Sequence, residues 1–260
     1  MYERELQCCL DVLKEANRIA LEIYNSRYFK VEIKEDDSPV TVADKTIDKL
    51  LRETLSKEFP GYGMLTEESI DDKSRLNKDY VWIIDPIDGT KDFIGKTDEF
   101  SINIGLSYKH QPVFGIISVP AINFIYYGIK GEGAYKIDDK GRVTKIHVSD
   151  KLEKLICLTS RYHFKKEEQD LIEKHSDRID EYYAVGSTVK GCRIAEGKAE
   201  LHYRISEGTK EWDTCAMQAI VEAAGGYVLK LDGTPITYNR EDVYNHDGYV
   251  ICNRIENFLL

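Results

Sequence analysis

The chain has 260 residues, of which 42% are hydrophobic and 32% charged, and its formal net charge at pH 7 is −10. This composition is ordinary for a soluble globular protein with one large domain or two small ones. The excess of acid argues against nucleic acid as a partner, because no basic surface offsets phosphate repulsion. No apolar run is long enough to cross a bilayer, and the first residues lack a signal-peptide core. The six cysteines are scattered, so we expect reduced thiols and a cytoplasmic location.

The first predicted elements are two helices separated by an exposed strand. Over residues 3–28, apolar side chains recur at every third or fourth position, which predicts an amphipathic helix packed on a core. An alternating segment over 31–37 predicts a strand of an exposed hairpin, and a second helix is expected over 43–59. Asp44 lies in the first turn of that helix, where a carboxylate complements the helix dipole. A structural role and a functional role both remain open for it.

The central motif follows a predicted buried strand over 80–84 and reads Asp85-Pro86-Ile87-Asp88-Gly89-Thr90. Within it, the proline is expected to end the hydrogen-bonded ladder, the glycine allows a sharp turn, and the threonine is placed to begin a helix. Carboxylates beside free amides suit a hard cation held against a phosphate. A solvated surface turn has the same composition, so the motif alone leaves both readings open.

The rest of the chain changes pattern near residue 149. Before it, a short predicted strand ends in the adjacent acids Glu67 and Glu68, which are either solvated or directed at a cation and a structural partner. Strands of period two then predict an antiparallel meander. After residue 149, strands and helices alternate, which predicts an α/β half. We therefore expect a mixed α/β protein with an N-terminal α+β half over 1–148 and a smaller C-terminal α/β half over 149–260.

Three separated motifs combine these observations: Leu65-Thr66-Glu67-Glu68, the central motif, and Glu211-Trp212-Asp213-Thr214-Cys215-Ala216 with a glycine pair after the last helix. In this order they resemble the inositol monophosphatase family, the lithium-sensitive, magnesium-dependent phosphomonoesterases. The resemblance extends over essentially the whole chain. It implies the layered α-β-α-β-α fold of sugar phosphatases, with an antiparallel N-terminal sheet, a metal-binding first half and a second half that completes the site.

The same resemblance implies roles for individual residues. Two or three Mg²⁺ ions would be held by oxygen ligands from Glu67, Asp85, the carbonyl of Ile87, Asp88 and Asp213. Catalysis would fall to Asp44, Thr90 and Glu67, which polarise the attacking water. The amides of Gly89 and Thr90 would hold the phosphate, and Asp213 would also contact the substrate.

Three further segments are similar to the 3′(2′),5′-bisphosphate nucleotidase branch of this family. They are Lys91-Asp92 after the central motif, Ser160-Arg161-Tyr162-His163, in which the tyrosine departs from the usual pattern, and Gly186-Ser187-Thr188-Val189-Lys190. A bisphosphorylated nucleotide has a second phosphate that is not cleaved, and Lys190, Arg161 or His163 would pair with it. Ser160, Gly186 and Ser187 would complete the substrate site. Without the resemblance, Lys190 and Arg161 would be interpreted as ordinary surface charges.

The sequence therefore predicts a phosphatase that removes the 3′-phosphate of adenosine 3′,5′-bisphosphate, giving AMP and phosphate, with water activated by metal. The alternatives are an inositol monophosphatase with the same metals and a catalytically silent protein that binds a phosphorylated ligand. The expected partner is a small phosphorylated substrate, without nucleic acid and without a membrane span. Monomer and homodimer both remain open.

Overall fold

The computed structural model describes residues 1–26, 31–33, 39–205 and 207–260. Within these ranges the α-helices are α1 (Glu3–Asn25), α2 (Val42–Glu58), α3 (Thr90–Gly95), α4 (Lys166–Lys174), α5 (Val189–Ala195) and α6 (Glu211–Ala223). The β-strands are β1 (Val31–Ile33), β2 (Pro39–Thr41), β3 (Gly63–Thr66), β4 (Tyr80–Asp88), β5 (Ser101–Tyr108), β6 (Gln111–Val119), β7 (Phe124–Ile129), β8 (Gly133–Ile137), β9 (Val143–Ile146), β10 (Leu155–Ser160), β11 (Ile179–Val185), β12 (Leu201–Arg204), β13 (Tyr227–Leu229) and β14 (Tyr249–Cys252).

Two large sheets organise the protein. The first has seven strands in the order β3-β4-β5-β6-β7-β8-β9, and all neighbours are antiparallel except β3 and β4. The second has five strands in the order β11-β10-β12-β14-β13, in which β10 lies parallel to β11 and β12. The hairpin of β1 and β2 stands apart as a small antiparallel pair. The predicted meander and the predicted α/β half are therefore both present.

The layers follow from which faces of these elements are apolar. Helices α1 and α2 cover one face of the seven-stranded sheet and share a core with its side chains. Helices α5 and α6 fill the space between the two sheets, where a second core forms. Helix α4 covers the outer face of the five-stranded sheet, and a third core forms between them. The predicted α-β-α-β-α layering is confirmed.

Helix α6 packs on a row of three paired glycines in the seven-stranded sheet. Gly105 on β5 is opposite Gly115 on β6, which is opposite Gly128 on β7. A Cβ atom added at Gly115 would lie 2.2 Å from the carbonyl oxygen of Ala216, and one at Gly128 would lie 2.6 Å from the Cα of Ile220. The helix backbone therefore rests directly on the sheet backbone, at a depth that any side chain in this glycine row would prevent.

Some predicted boundaries differ from the structure in informative ways. The ladder between β4 and β5 is interrupted after Asp85 and pairs again at Asp88, so Pro86 produces an irregularity inside the strand instead of its end. The predicted ends of the first helix, 27–28, and part of the predicted exposed strand, 34–37, lie outside the described residues. The division at 148/149 stays a prediction, since α6 lies after it in sequence yet packs on the first sheet.

None of the helices in the described ranges combines the length and the apolar character that a bilayer-spanning segment requires.

Candidate active site

Three carboxylates from two distant parts of the chain meet at the C-terminal end of β4 in the seven-stranded sheet. Asp85, Asp88 and Asp213 each offer an oxygen, and these atoms all lie within 4.8 Å of one another. Asp85 and Asp88 come from β4, on either side of its irregularity, whereas Asp213 lies in the first turn of α6. We call these three residues the acid cluster. Carboxylates this close repel one another unless a cation or protons neutralise them.

Local backbone geometry holds two of these side chains, those of Asp85 and Asp213, in place. The amide of Ile87 donates to Oδ1 of Asp85 at 3.0 Å, which closes a turn around Pro86. The amide of Lys210 donates to Oδ2 of Asp213 at 2.5 Å, as a capping residue does at the start of a helix. Each contact uses one oxygen of its carboxylate. The remaining oxygens are therefore held by the backbone in a defined orientation toward one another.

The electrostatics of the acid cluster show that it is short of positive charge. Burial raises the pKa of Asp213 to about 8, and the charges of Asp88 and Glu67 add to the effect. Burial, with Glu67 and Asp88 contributing next, also raises the pKa of Asp85 well above its usual range. For Asp88, burial raises the pKa, and the ammonium of Lys190 opposes that rise. A divalent cation would remove this repulsion directly.

A second carboxylate arrangement lies beside the acid cluster and involves Asp44. Its Oδ2 accepts hydrogen bonds from the amide and the hydroxyl of Thr41, at 2.8 and 2.5 Å, in a capping box that starts α2. Its Oδ1 lies 3.4 Å from the hydroxyl of Thr90, which also lies 3.3 Å from the carbonyl oxygen of Ile87. Burial raises the pKa of Asp44, although the bonds from Thr41 oppose this rise. Asp44 therefore caps α2 with one carboxylate oxygen and faces Thr90 with the other, and its functional role stays a prediction.

A cavity of about 570 Å³ opens above these groups. Its volume is typical of a small-molecule site. Of the residues predicted from sequence, the cavity is lined by Glu67, Asp88, Gly89, Thr90, Ser160, His163, Gly186, Ser187, Lys190 and Asp213. Asp44, Asp85 and Ile87 are buried close to this lining. The structure therefore brings together residues from both halves of the chain.

Basic side chains from both halves of the chain line the cavity, among them Lys190 and Arg204 from the second half and Lys91 from the first. Burial lowers the pKa of His163 to about 4, and the cations of Arg204, Lys91 and Lys190 lower it further. Lys190 is buried, and its ammonium donates to the carbonyl oxygen of Ser187 at 2.6 Å. Burial lowers its pKa as well. We call Lys190, Arg204 and Lys91 the basic group.

Arg204 was not among the residues singled out from sequence. It lines the cavity with only 9% of its surface exposed, and its Nε has no hydrogen-bond partner among the described residues. A buried guanidinium with an unsatisfied nitrogen is costly, so its place in the cavity lining favours an anionic ligand. The signal available in the sequence was the spacing of His202 and Arg204, since residues two apart at the end of β12 face the same side of the sheet.

Arg161, predicted to hold the second phosphate, has a different position. Its guanidinium pairs with Glu99 and lies 3.3 Å from Oδ1 of Asp92, and it is not part of the cavity lining. Two carboxylates therefore already satisfy it. Arg204 is better placed than Arg161 to meet an anion in the cavity.

The donor set fits a hard divalent cation. The acid cluster, Glu67 and the carbonyl of Ile87 offer oxygen atoms, and no histidine or cysteine takes part among the described residues. Oxygen-rich sites of this kind suit Mg²⁺, Mn²⁺ or Ca²⁺ rather than zinc or copper. The raised pKa values of the carboxyl groups in the acid cluster are a second feature that a bound cation would account for.

A family model described as the inositol monophosphatase family matches residues 5–258. The chain belongs to this family. Two similar inositol monophosphatase family members are proteins named 3′(2′),5′-bisphosphate nucleotidase CysQ. The one from Aggregatibacter actinomycetemcomitans is 31% identical over 251 residues, which cover 95% of this chain and 91% of the relative. The one from Escherichia coli (strain K12) is 30% identical over 245 residues, covering 94% of this chain and 97% of the relative.

Solved structures of the inositol monophosphatase fold agree. CysQ from Bacteroides thetaiotaomicron, described as a bacterial member of the inositol monophosphatase family, superposes with a TM-score of 0.83 at 32% identity, covering 98% of this chain and 99% of that one. An IMPase/NADP phosphatase complexed with NADP and Ca²⁺ gives a TM-score of 0.82 at 23% identity, covering 100% and 95%, and this likeness concerns the fold alone. The predicted resemblance to the family and to its nucleotidase branch is confirmed.

Proposed function

We propose that this protein is a Mg²⁺-dependent phosphomonoesterase that hydrolyses the 3′-phosphate of adenosine 3′,5′-bisphosphate to AMP and phosphate. The observation that carries the proposal is that one cavity holds both acidic and basic groups. It is lined by Asp88 and Asp213 of the acid cluster and by Lys190 and Arg204. A ligand with two separate phosphates matches this combination, because one phosphate would meet cations held by the acids and the other would meet Lys190 and Arg204.

The relatives favour the same substrate class. The similar proteins named above carry a nucleotidase name that specifies a bisphosphate with phosphates at the 3′ (or 2′) and 5′ positions. Inositol monophosphate carries one phosphate and has no second anionic group for the buried guanidinium of Arg204. Arg204 therefore favours the bisphosphate over the single-phosphate alternative.

The ions would be held by a set of oxygen ligands: Glu67, Asp85, the carbonyl of Ile87, Asp88 and Asp213. Two or three Mg²⁺ ions there would supply positive charge to the phosphate and a more acidic water molecule. We assign the orientation of that water to Thr90, whose hydroxyl lies near Asp44. The raised pKa of Asp44 makes its carboxylate a better proton acceptor. The amides of Gly89 and Thr90, which begin α3 beside the cavity, would hold phosphate oxygens.

The same assignment gives the residues of the substrate side their roles. Arg204 and Lys190 would contact the phosphate that is not cleaved, and His163 would contact the nucleoside as a neutral ring. Ser160, Gly186 and Ser187 would line the path between the two phosphates, and Asp213 would contact both an ion and the substrate. We place the protein in the cytoplasm, where such nucleotides occur, and expect inhibition by Li⁺, as the family resemblance implies.

A panel of phosphomonoesters tests the proposal. Phosphate release would be measured with adenosine 3′,5′-bisphosphate, AMP, inositol 1-phosphate and 3′-phosphoadenylyl sulfate, each with Mg²⁺ and with or without Li⁺. We expect kcat/KM to be highest for the two 3′-phosphorylated nucleotides. A clear preference for inositol 1-phosphate would replace the proposal with an inositol monophosphatase. Binding of Mg²⁺ and nucleotide without any turnover would replace it with a silent binding protein.

A further inference from the structure

The loop of residues 186–188, between β11 and α5, belongs to the second half of the chain but is held by the first. At its start, the amide of Gly186 donates to Oε2 of Glu99 at 2.7 Å. At its end, the amide of Thr188 donates to Oδ2 of Asp88 at 2.5 Å. Between them, Ser187 has a φ of 45°, in the left-handed region that L-residues seldom occupy. External contacts must therefore stabilise this 186–188 loop in its conformation.

A cluster of buried polar side chains supplies those contacts at Thr188. Its hydroxyl donates to the amide oxygen of Asn103 at 3.0 Å and lies 2.8 Å from the hydroxyl of Ser101. Ser101 and Asn103 lie on β5, directly opposite the irregular end of β4, and both are fully buried. We call Ser101, Asn103 and Thr188 the hydroxyl cluster. It ties the 186–188 loop to the strand that pairs with Asp85 and Asp88.

Two glycines, Gly186 and Gly89, allow close contacts that reinforce this connection. A Cβ atom on Gly186 would lie 2.6 Å from the carboxylate of Asp92 in α3, so no larger residue fits there without movement. A Cβ atom on Gly89, which has a φ of +82°, would lie 3.0 Å from the Cβ of Ser187. The turn that carries Thr90 and the 186–188 loop are therefore in direct contact. A shift of the loop is transmitted to the residues around the acid cluster.

We propose that Thr188 is a positioning residue for Asp88, and this inference rests on the proposed function. The amide of Thr188 occupies Oδ2 of Asp88 and leaves the other oxygen for a divalent cation. The hydroxyl cluster fixes the orientation of that amide, because the Thr188 hydroxyl is bonded to β5 on the opposite side. The cation site of the first half therefore depends on a hydroxyl of the second half. Groups that orient a ligating side chain commonly change metal affinity or activity 10–100-fold when removed.

Cation binding in the absence of substrate tests the inference without relying on turnover. Binding of Mg²⁺ and Mn²⁺ to the full chain would be measured by isothermal titration calorimetry for wild type, Thr188→Val, Thr188→Ser and Ser101→Ala. Valine keeps the shape and the backbone amide but removes the hydroxyl. We expect Thr188→Val to weaken binding about 10-fold or more, Ser101→Ala to weaken it less, and Thr188→Ser to recover affinity relative to valine.

Ser118→Ala is the matched control. Ser118 is as buried as Ser101, and it lies on β6 opposite Ile102, the residue next to Ser101. Its hydroxyl bonds Asn17 of α1, on the other side of the sheet, at 2.9 Å. Loss of a buried hydroxyl alone would affect both serine variants equally. We expect the control to bind cations like wild type, and an equal loss in Ser101→Ala and Ser118→Ala would overturn the inference.

The remaining outcomes separate this inference from the proposed function. If wild type hydrolyses the bisphosphate while Thr188→Val and Ser101→Ala, shown to be folded by circular dichroism, bind cations normally, the positioning role is wrong. If wild type binds cations in a Thr188-dependent way but hydrolyses no phosphomonoester, the positioning role stands and the proposed function is wrong. Should Thr188→Val fail to fold, Ser101→Ala decides by the same criterion. In turnover, we expect kcat to fall more than KM rises, since Asp88 rather than the substrate is displaced.

Discussion

Replacing Asp213 with asparagine is expected to stabilise the protein in the absence of divalent cations and to remove its stabilisation by them. Asparagine keeps a side-chain oxygen that accepts the amide of Lys210, so the start of α6 is preserved. It removes one negative charge from the acid cluster, where Asp88 and Glu67 raise the pKa of Asp213. The negative charge of Asp213 destabilises the metal-free protein, and the same charge would bind the cation.

The magnitude follows from the pKa shift. Burial and the neighbouring acids raise the pKa of Asp213 from 3.8 to about 8, so the folded protein holds a proton that the unfolded chain has released. Stability of the metal-free wild type therefore falls as the pH rises from about 4 to about 8. At about 1.4 kcal/mol per pKa unit, the full shift corresponds to about 5 kcal/mol at pH 8. Because the carboxyl is partly exposed to the cavity, solvent screening reduces this to about 2–4 kcal/mol, or about 5–15 °C in Tm.

Urea and thermal unfolding with EDTA at pH 5 and pH 8 measure this effect. We expect Asp213→Asn to exceed wild type in stability at pH 8 and to differ less at pH 5. With Mg²⁺ at 1,000 times Kd the order should reverse, because only the wild type gains binding energy, and that gain of about 4.1 kcal/mol exceeds the advantage of the variant. Asp139→Asn is the control, because Asp139 is exposed and lies between β8 and β9. It should change neither the urea nor the thermal unfolding curve. A metal-free Asp213→Asn protein less stable than wild type at pH 8 would refute the reasoning.

Three other variants test the assignments of the acidic and basic groups of the site. Asp85→Asn should abolish phosphate release while far-ultraviolet circular dichroism stays that of the wild type; activity near the wild-type level would contradict its assignment as a ligand. Arg204→Ala should raise KM for adenosine 3′,5′-bisphosphate about 10–100-fold, since a charged hydrogen bond contributes about 1.5–3 kcal/mol. It should leave KM for a single-phosphate ester within about threefold. Equal effects on both substrates would show that Arg204 does not bind the second phosphate. Lys190→Ala should reduce kcat/KM for both substrates, because its ammonium also bonds the carbonyl oxygens of Val185 and Ser187, at 3.2 and 2.6 Å; a loss confined to the bisphosphate would mean that this structural role is negligible.

The acid side of the site could be predicted from sequence because its residues lie in compact motifs next to strand and helix ends. Asp85 and Asp88 come directly after the apolar run of β4, and Asp213 starts a helix, so local pattern alone placed each of them near the end of an element, although it ended β4 too early. Their convergence could not be derived from spacing, since it requires α6 to return to the first sheet. The family resemblance supplied that step, and the structure brings all three oxygens within 4.8 Å of one another.

The basic side was predicted less well, for a physical reason. A motif shows which residue types are present but not which carboxylates are near them. Arg161 is engaged by Glu99 and Asp92, which come from a distant part of the chain, whereas the Nε of Arg204 has no hydrogen-bond partner in the part of the chain that the structure describes. The hydroxyl cluster escaped prediction in the same way, because serine, threonine and asparagine in strands and loops are common and only their mutual distances distinguish these three.

The glycine row has a consequence for how a substrate enters. Because α6 rests backbone to backbone on β5, β6 and β7, it has no layer of side chains on which to slide or roll. Helix α6 and the seven-stranded sheet are therefore expected to move together as one stiff body. Access to the cavity should then depend on small displacements of its rim, and the spacing between the carboxylate of Asp213 and those of β4 should stay nearly constant from the free to the loaded state.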